Sequence, residues 1–447
     1  MHVEENLDHI QEMMEFIQSY DFEVEKEQWP KEAWDAFNKP LEERIDLSDP
    51  KVRLSIQYYL ILSHASEETY SQFQQLYNST HCDAPLLSYD QVCQQLHSMT
   101  GIYSLRVDKC KKNCLAYVGP WGKLSTCSKC GEERYDNKGK SCSQFTVIPL
   151  GPQLQAQYRH PKSTAKLRYR HQETQRILRE GKRDWSDILH GLDYLKLVES
   201  GQIDKNTMVL LFSEDTAQLY RDKESSTRFG GLNTAQHDSF LLLTLAHIAA
   251  CQRRGIKVWD CLWNRVIEKH PFLLFALADT VAMTDMSKSV GHHQRNGCQL
   301  LCNMPGRHKP GVGTYYPAML WPEGDLPRVP AASAHPDIHV DTVTAPTVEE
   351  YEVHLQRVLE APNMTQYKKS VLPRALPCPK LFPADLMHLY YNINQLLLQL
   401  WRGTIDYIGG DDPADWPFAI LQDEDDFAAF GLAVERAGCF IATCIKN

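Results

Sequence analysis

Four cysteines in two closely spaced pairs constrain the fold more than any other feature of this sequence. The pairs are Cys110-Lys-Lys-Asn-Cys114 and Cys127-Ser-Lys-Cys130. Two such pairs on separate turns can place four thiolates around one tetrahedral Zn²⁺ ion. Metal binding then supplies folding free energy that a segment of about 40 residues cannot obtain from its own core. We therefore predict a ribbon-like module with one structural zinc; the alternative is a set of unpaired structural cysteines.

The number of nearby ligands argues for one ion in this module. A RING-type site with two ions needs eight ligands, and Cys142 is the one spare cysteine close to the four. The cysteine pattern therefore favours the single-zinc ribbon.

Composition and charge narrow the class of protein. Fourteen cysteines in 447 residues are too few for a disulfide scaffold, and the acidic start Met1–His9 lacks the form of a signal peptide. The longest apolar run, Phe272–Ala278, is too short to span a bilayer. We expect a soluble intracellular protein with reduced thiols and no membrane partner. The net charge of −10 also means that any contact with nucleic acid must come from a local basic patch.

Periodicity predicts four segments and an α/β core. Residues 1–105 are expected to form a helical N-terminal segment, 106–150 the zinc-ribbon-like module, and 151–204 a basic helical linker. Residues 205–447 alternate apolar runs of strand length with helical patterns, which is typical of α/β proteins. The predicted strands are Thr207–Ser213 and Phe272–Ala278, and the predicted helices are Ser239–Cys251, Val258–Lys269 and Ala384–Trp401.

A basic stretch crosses the linker. The stretch between Arg159 and Arg183 contains nine Lys or Arg residues and only two acidic residues, with tyrosines and histidines between them. The run from Ser163 to Arg179 is compatible with a helix that Ser163 caps. This pattern favours a phosphate-contacting surface over a merely solvated helix face. The residues that we expect to contact nucleic acid are Lys162, Lys166, Arg168, Arg170, Arg176 and Arg179.

Acidic residues follow both predicted strands. Thr207–Ser213 runs into Glu214 and Asp215, and Phe272–Ala278 runs into Asp279. Carboxylates at the ends of adjacent buried strands can bind two Mg²⁺ ions for phosphodiester chemistry. The alternative is that each acid caps a turn or a helix.

Two further groups of residues could form functional sites. Cys298, Cys302 and His308 lie within a few residues of one another, after His292-His293, and suggest a second zinc site or a pair of buried, unliganded cysteines. Asp385-Leu-Met-His388 begins an apolar helix. An acid in that position also simply stabilises a helix N-terminus.

Longer strings of sequence resemble a known family. CysLysLysAsnCys…CysSerLysCysGlyGluGluArgTyr (110–135), IleProLeuGlyProGlnLeuGlnAla (148–156) and LeuPheSerGluAspThrAlaGlnLeuTyrArg (211–221) resemble fungal CACTA-type transposases of the Plavaka group. ValGlyHisHis (290–293), LeuProCysProLysLeuPheProAlaAspLeuMetHisLeu (376–389) and LeuTrpArgGlyThr (400–404) continue the resemblance in order.

The resemblance implies a cut-and-paste DNA transposase that acts in the nucleus on transposon ends. It implies an RNase H-like core in which Asp215 and Asp279 are the first two catalytic acids and Asp385 and His388 form an Asp-x-x-His signature. The implied reaction is Mg²⁺-assisted DNA hydrolysis and strand transfer. The four cysteines would be an upstream zinc ribbon. The resemblance is also compatible with self-association of the protein into a homo-oligomer.

Three departures from the family pattern predict an impaired enzyme. Only residues 223–237 separate the first strand from the next helix, too few for the two antiparallel strands that an RNase H-like sheet needs. No clear third acid follows Asp385; Glu435 is the nearest helical candidate, and Thr314 stands where another histidine is expected. We therefore expect an incomplete sheet and a degenerate copy that still binds DNA. The alternatives are an active enzyme with Asp385 or Glu435 as third acid, and a zinc-stabilised protein-interaction module without nuclease activity.

Overall fold

The computed structural model describes residues 12–181, 187–214, 217–218, 226–227, 237–278, 283, 294–298, 302–308, 313–320, 336–353, 381, 386–405, 412 and 416–437. These residues fall into two compact units. The first comprises the described residues up to 277 and those between 281 and 383, and the second comprises Ala278 and the described residues after 384.

Helices and small sheets together form the fold, which confirms a mixed α and β architecture. Residues 12–19 are helical. The helices that follow are α1 (Phe22–Gln28), α2 (Lys31–Asn38), α3 (Pro50–Ile61), α4 (Glu67–Thr80), α5 (Tyr89–Thr100), α6 (Leu150–Tyr158), α7 (Pro161–Glu180), α8 (Leu192–Glu199), α9 (His237–Arg254), α10 (Leu386–Arg402) and α11 (Glu424–Ala437). The strands are β1 (Leu105–Asp108), β2 (Gln144–Val147), β3 (Thr207–Glu214), β4 (Ala217–Gln218), β5 (Ser226–Thr227), β6 (Ile256–Asp260), β7 (Arg265–Ala278), β8 (Arg307–His308) and β9 (Tyr315–Tyr316).

Local capping explains where α3 to α5 begin. The side chains of Asp49 and Ser66 accept backbone N–H groups at the starts of α3 and α4. Ser88 and Gln91 form a reciprocal capping box at the start of α5, which ends at Gly101 with a φ of +73°. The three helices pack around a small apolar cluster of their own.

The largest sheet has three strands in the order β3-β7-β6. β6 and β7 are antiparallel, from the pair Ile256 and Lys269 to the pair Asp260 and Arg265. α6 packs against β6, and Val258 and Ile256 are buried in the core that these elements share with α2. Within the described ranges, the short strands β4 and β5 pair with each other and with no other strand.

Two predictions about local structure were wrong. The helix predicted over Val258–Lys269 is a β-hairpin, because Asp260 and Asn264 form a tight turn in the middle of that stretch. The carboxylate of Asp260 accepts backbone N–H groups of the turn, and Asn264 takes the left-handed conformation with a φ of +50°. In addition, α7 begins at Pro161 rather than after Ser163, since proline is favoured in the first helical turn.

The second unit contains α10 and α11. The backbone N–H of Leu421 donates to Trp401 O, and the Trp401 ring packs edge-on against Phe430 at 6.1 Å. Arg402 lies over the Phe427 ring and pairs with Glu424. Across the ranges that the structure describes, no helix has the length and apolarity that a bilayer crossing requires.

Candidate metal centre

Each cysteine pair lies in a tight turn that its own backbone closes. In the first turn, Cys110 N–H donates to Leu115 O, and Asn113 is left-handed with a φ of +56°. In the second turn, Cys127 N–H donates to Glu132 O and Gly131 N–H donates to Cys127 O. Gly131 has a φ of +72°, a conformation that disfavours residues with a Cβ atom.

The four thiols of Cys110, Cys114, Cys127 and Cys130 form one cluster. Their Sγ atoms all lie within 4.8 Å of one another, and those of Cys110 and Cys130 are 3.4 Å apart. A tetrahedral ion with Zn–S bonds of about 2.3 Å places its sulfur ligands about 3.8 Å apart, so the cluster needs little movement to enclose one. The four residues thus come together as predicted, and they could hold a metal ion such as zinc.

The protonation of the thiols fits a site for a cation. Burial is the main cause that raises the pKa values of Cys114 and Cys127. Burial also acts to raise the pKa of Cys130, but the backbone N–H of Glu132 and the neighbouring thiols lower it overall. The cluster therefore resists holding several thiolates at once, and a divalent cation that neutralises them would displace protons.

An arginine connects the two turns to β1. The Arg134 guanidinium donates to the Asp108 carboxylate at 2.8 Å, and to the carbonyl oxygens of Gly122 and Leu124. It also lies 4.7 Å from the centre of the Tyr117 ring. Burial opposes ionisation of Asp108, but its hydrogen bonds, including that from Arg134, hold its pKa below the usual range.

The cysteine module belongs to the core of the first unit. Cys110, Cys127 and Trp121 are buried in one cluster with apolar residues of the helical stretch 12–19 and of α9. A buried hydrogen bond from Ala116 N–H to Ser239 Oγ, 2.8 Å long, joins the module to α9. A metal ion in this site would therefore organise the interior of the unit, as structural zinc sites do.

The predicted nucleic-acid face of α7 divides into two groups. Arg168, Arg170 and Arg176 are half-buried, and each donates to other residues of the chain. Arg168 binds both oxygens of the buried Asp260 carboxylate at 3.0 and 3.1 Å. Arg170 donates to the carbonyl oxygens of Asp204 and Thr207, which precede and begin β3.

Lys162, Lys166 and Arg179 form the second group, which is exposed. Arg179 donates within α7, to Gln175 O, and the two lysines make no hydrogen bond or ion pair with any other described residue. These three cations are thus the members of the predicted set that solvent reaches most freely.

The second predicted zinc site is described only in part. Cys298 and Cys302 are half-buried and hydrogen bond to each other, and burial followed by that hydrogen bond raises the pKa of Cys302. The backbone of His308 lies in β8, but its side chain is outside the described part of the chain. In the described ranges, the four-cysteine cluster is the group of three or more potential ligands that lies close enough to hold an ion.

The predicted catalytic acids are three aspartates that the described part of the chain does not include. Asp215, Asp279 and Asp385 lie outside the described residues. His388 lies in α10, and its side chain is likewise not described.

A buried polar group that the sequence analysis missed joins distant helices. Glu25 Oε1 lies 2.6 Å from His247 Nδ1, and Gly151 N–H donates to His247 Nε2. Because Nε2 accepts that bond, the imidazole proton is on Nδ1 and points at Glu25. Glu25 and His247 are 222 residues apart in sequence, so no local pattern could have indicated the pair.

Comparison of the chain with protein-family models, with curated proteins and with solved structures found no match.

Proposed function

We propose that this chain is a transposase-derived DNA-binding protein with one structural Zn²⁺ and impaired DNA cleavage. The observation that carries the proposal is the cluster of four cysteine sulfur atoms within 4.8 Å. In this proposal Zn²⁺ is bound by Cys110, Cys114, Cys127 and Cys130, because four thiolates in tetrahedral reach favour zinc over harder ions such as Mg²⁺. The protein would act in the nucleus, on transposon ends.

The order of strands supports an RNase H-like ancestry. β3 and β7 are neighbours in the sheet, and His270 N–H donates to Asn206 O just before β3 begins. From that bond both strands continue for eight residues, to Glu214 and Ala278. Asp215 and Asp279 follow these strands directly in sequence, and in this proposal their carboxylates are what remains of the metal site. Two carboxylates at one edge are what a site for Mg²⁺ requires.

The size of the sheet supports impaired cleavage. Among the described residues, the stretch between β3 and α9 contributes only β4 and β5, of two residues each, and these form a separate small sheet. An RNase H-like core needs full strands there, and a third acid has no clear counterpart in the sequence. We therefore propose that the protein still binds DNA but cleaves it poorly or not at all.

The exposed cations on α7 support DNA binding. Lys162, Lys166 and Arg179 reach solvent on one helix of a protein whose net charge is −10. Cations that contact phosphate release counterions, so binding weakens steeply as salt rises.

The salt dependence of DNA binding tests this proposal. We expect the full-length protein to bind duplex DNA with an affinity that falls linearly with salt on a double-logarithmic plot. Replacing Lys162, Lys166 and Arg179 together by glutamine should reduce the slope by about 0.9 for each phosphate that is no longer neutralised. The matched control replaces the exposed residues Lys31, Lys39 and Lys51 by glutamine, which changes the net charge equally and should leave the slope unchanged.

One observation favours a second function, a zinc-stabilised protein-interaction module. Three of the six predicted DNA-contacting side chains, Arg168, Arg170 and Arg176, are half-buried and bind acceptors within the chain. Zinc-loaded protein that binds DNA with no salt dependence, or not at all, would support this second function against the first.

A further inference from the structure

The tip of the β6–β7 hairpin exposes two large apolar side chains. Leu262 is 40% exposed and Trp263 is 52% exposed. Tryptophan combines a large apolar surface with a polar N–H group, and it is enriched at binding hot spots together with arginine. An exposed tryptophan at a hairpin tip therefore suggests a contact with another molecule.

Hydrogen bonds to a buried carboxylate fix the backbone conformation of the hairpin tip in the unbound protein. The buried Asp260 carboxylate accepts the backbone N–H groups of Leu262 at 2.9 Å and Trp263 at 3.1 Å. The same carboxylate binds the Arg168 guanidinium, which connects the tip to α7. A prearranged contact surface loses little conformational freedom on binding, which increases affinity.

Two guanidinium groups lie beside the tryptophan ring. The central carbon of Arg168 is 4.0 Å from the ring centroid, and that of Arg265 is 4.7 Å from it. Arg265 is exposed, and its guanidinium group donates a hydrogen bond to no other residue that the structure describes. Its N–H groups are therefore available for a phosphate, and when Arg265 turns from the ring toward that phosphate, the ring surface that it covers becomes free for a planar group to stack.

We infer that this hairpin tip binds single-stranded DNA, with an unpaired base stacked on Trp263 and the adjoining phosphate bound by Arg265. Stacking needs the base to leave its duplex partner, because a paired base has its faces covered by its neighbours. The positive charge beside Trp263 favours a polyanion over a neutral apolar partner. The inference rests on the proposed function, and it adds the form of DNA that one surface recognises.

The test compares oligothymidylate with duplex DNA of equal length, using full-length zinc-loaded protein. We expect Trp263→Ala to weaken oligothymidylate binding by about tenfold and to leave duplex binding unchanged. Trp263→Phe, which keeps a ring, should retain most of the affinity. Arg265→Gln should lower the salt slope for the single strand by about 0.7.

Tyr135→Ala is the matched control. Tyr135 is 40% exposed, and the Arg134 guanidinium lies 4.9 Å from its ring centroid, so it repeats the pairing of ring and cation elsewhere on the surface. Its substitution should not change oligothymidylate affinity. Zinc content and melting temperature of each variant show that the fold is retained.

The outcomes separate this inference from the proposed function. If Trp263→Ala binds oligothymidylate as wild type does, while wild type shows salt-dependent binding to DNA, the inference is wrong and the proposed function stands. Equal losses for single strand and duplex would contradict stacking of an unpaired base. A changed oligomeric state with unchanged DNA affinity would make the tip a protein contact instead. Wild-type protein that binds neither form of DNA would overturn both proposals.

Discussion

Arginine side chains on α7 show why charge alone does not identify a binding surface. Arg168 neutralises a buried carboxylate, and Arg170 donates to the two carbonyl oxygens that flank the start of β3. The planar guanidinium group can satisfy several acceptors at once, so arginine is well suited to such internal roles. A cluster of arginines in a sequence therefore indicates either a phosphate surface or a set of internal connections.

The thiol cluster makes a prediction for single cysteines. Cys127→Ser should reduce bound zinc from one equivalent to nearly none, since three thiolates and a hydroxyl form a much weaker site. Metal content measured by atomic emission, together with the melting temperature, checks this. Cys142→Ser is the control, because Cys142 lies in the same module but outside the cluster, and it should retain its zinc. Unchanged zinc content in Cys127→Ser would show that the metal is bound elsewhere.

A carboxylate on α7 makes a prediction about pH. Glu173 accepts hydrogen bonds from Arg176 and lies 3.2 Å from His190, and Arg176 first and His190 second lower its pKa to about 2. A pKa below the unfolded value stabilises the protein above the unfolded pKa, and the effect is lost as pH falls toward the folded pKa. Glu173→Gln should therefore cost about 1 kcal/mol near neutral pH, and the difference from wild type should shrink between about pH 4.5 and 2.

Urea denaturation across that pH range measures this difference directly. Glu180→Gln is a suitable control, because Glu180 pairs with Arg176 at the exposed end of α7 and should contribute little. A constant difference in stability between Glu173→Gln and wild type down to pH 2 would show that ionisation of the Glu173 carboxylate is not the source of that difference.

Among the elements, the cysteine module joins separate parts of the first unit. Cys110 and Cys127 share an apolar cluster with the stretch 12–19 and with α9, whereas α3, α4 and α5 pack around a different cluster. The module is therefore part of the packing of α9, although Ala116 and Ser239, which join the two, are 123 residues apart in sequence.

Metal removal should loosen these elements selectively. When a chelator removes zinc, we expect amide hydrogen exchange to rise in α9 and in the stretch 12–19, because their packing partners lose the cross-link that positions them. Exchange in α3 to α5 should change little and serves as the internal control. Mass spectrometry of peptides from protein with and without chelator makes the measurement. Faster exchange confined to residues 106–150 would show that the module folds independently of α9.

At the scale of the whole molecule, the incomplete sheet predicts a lack of catalysis. Mg²⁺-dependent nicking of supercoiled plasmid by the wild-type protein should not exceed that of the Asp215→Ala, Asp279→Ala double variant. The physical reason is that two acids with no clear third acid in the sequence, beside only two-residue strands among the described residues between β3 and α9, cannot hold two metal ions in fixed positions. Nicking that is robust in wild type and absent from the double variant would contradict impaired cleavage.

Short-range features of this chain could be predicted from the sequence. The spacings within Cys110–Cys114 and Cys127–Cys130 determine two tight turns, and the four thiols come together as expected. The apolar runs at Thr207–Ser213 and Phe272–Ala278 lie in β3 and β7 for the same reason, since strand patterns depend on a few consecutive residues.

Only the tertiary structure decided the long-range partners. The stretch 258–269 has an apolar pattern that suits a helix, yet it forms a hairpin because its turn lets Val258 pair with Ile267 and because β6 packs against α6. Asp260, Asp204 and Glu25, which bind Arg168, Arg170 and His247, lie 34 to 222 residues from them, so these roles depend on how the chain folds back on itself. The sequence alone thus determined which residues can bind a metal, because those ligands are close along the chain. Tertiary packing decided which charges face solvent, because burial depends on residues that are distant in sequence.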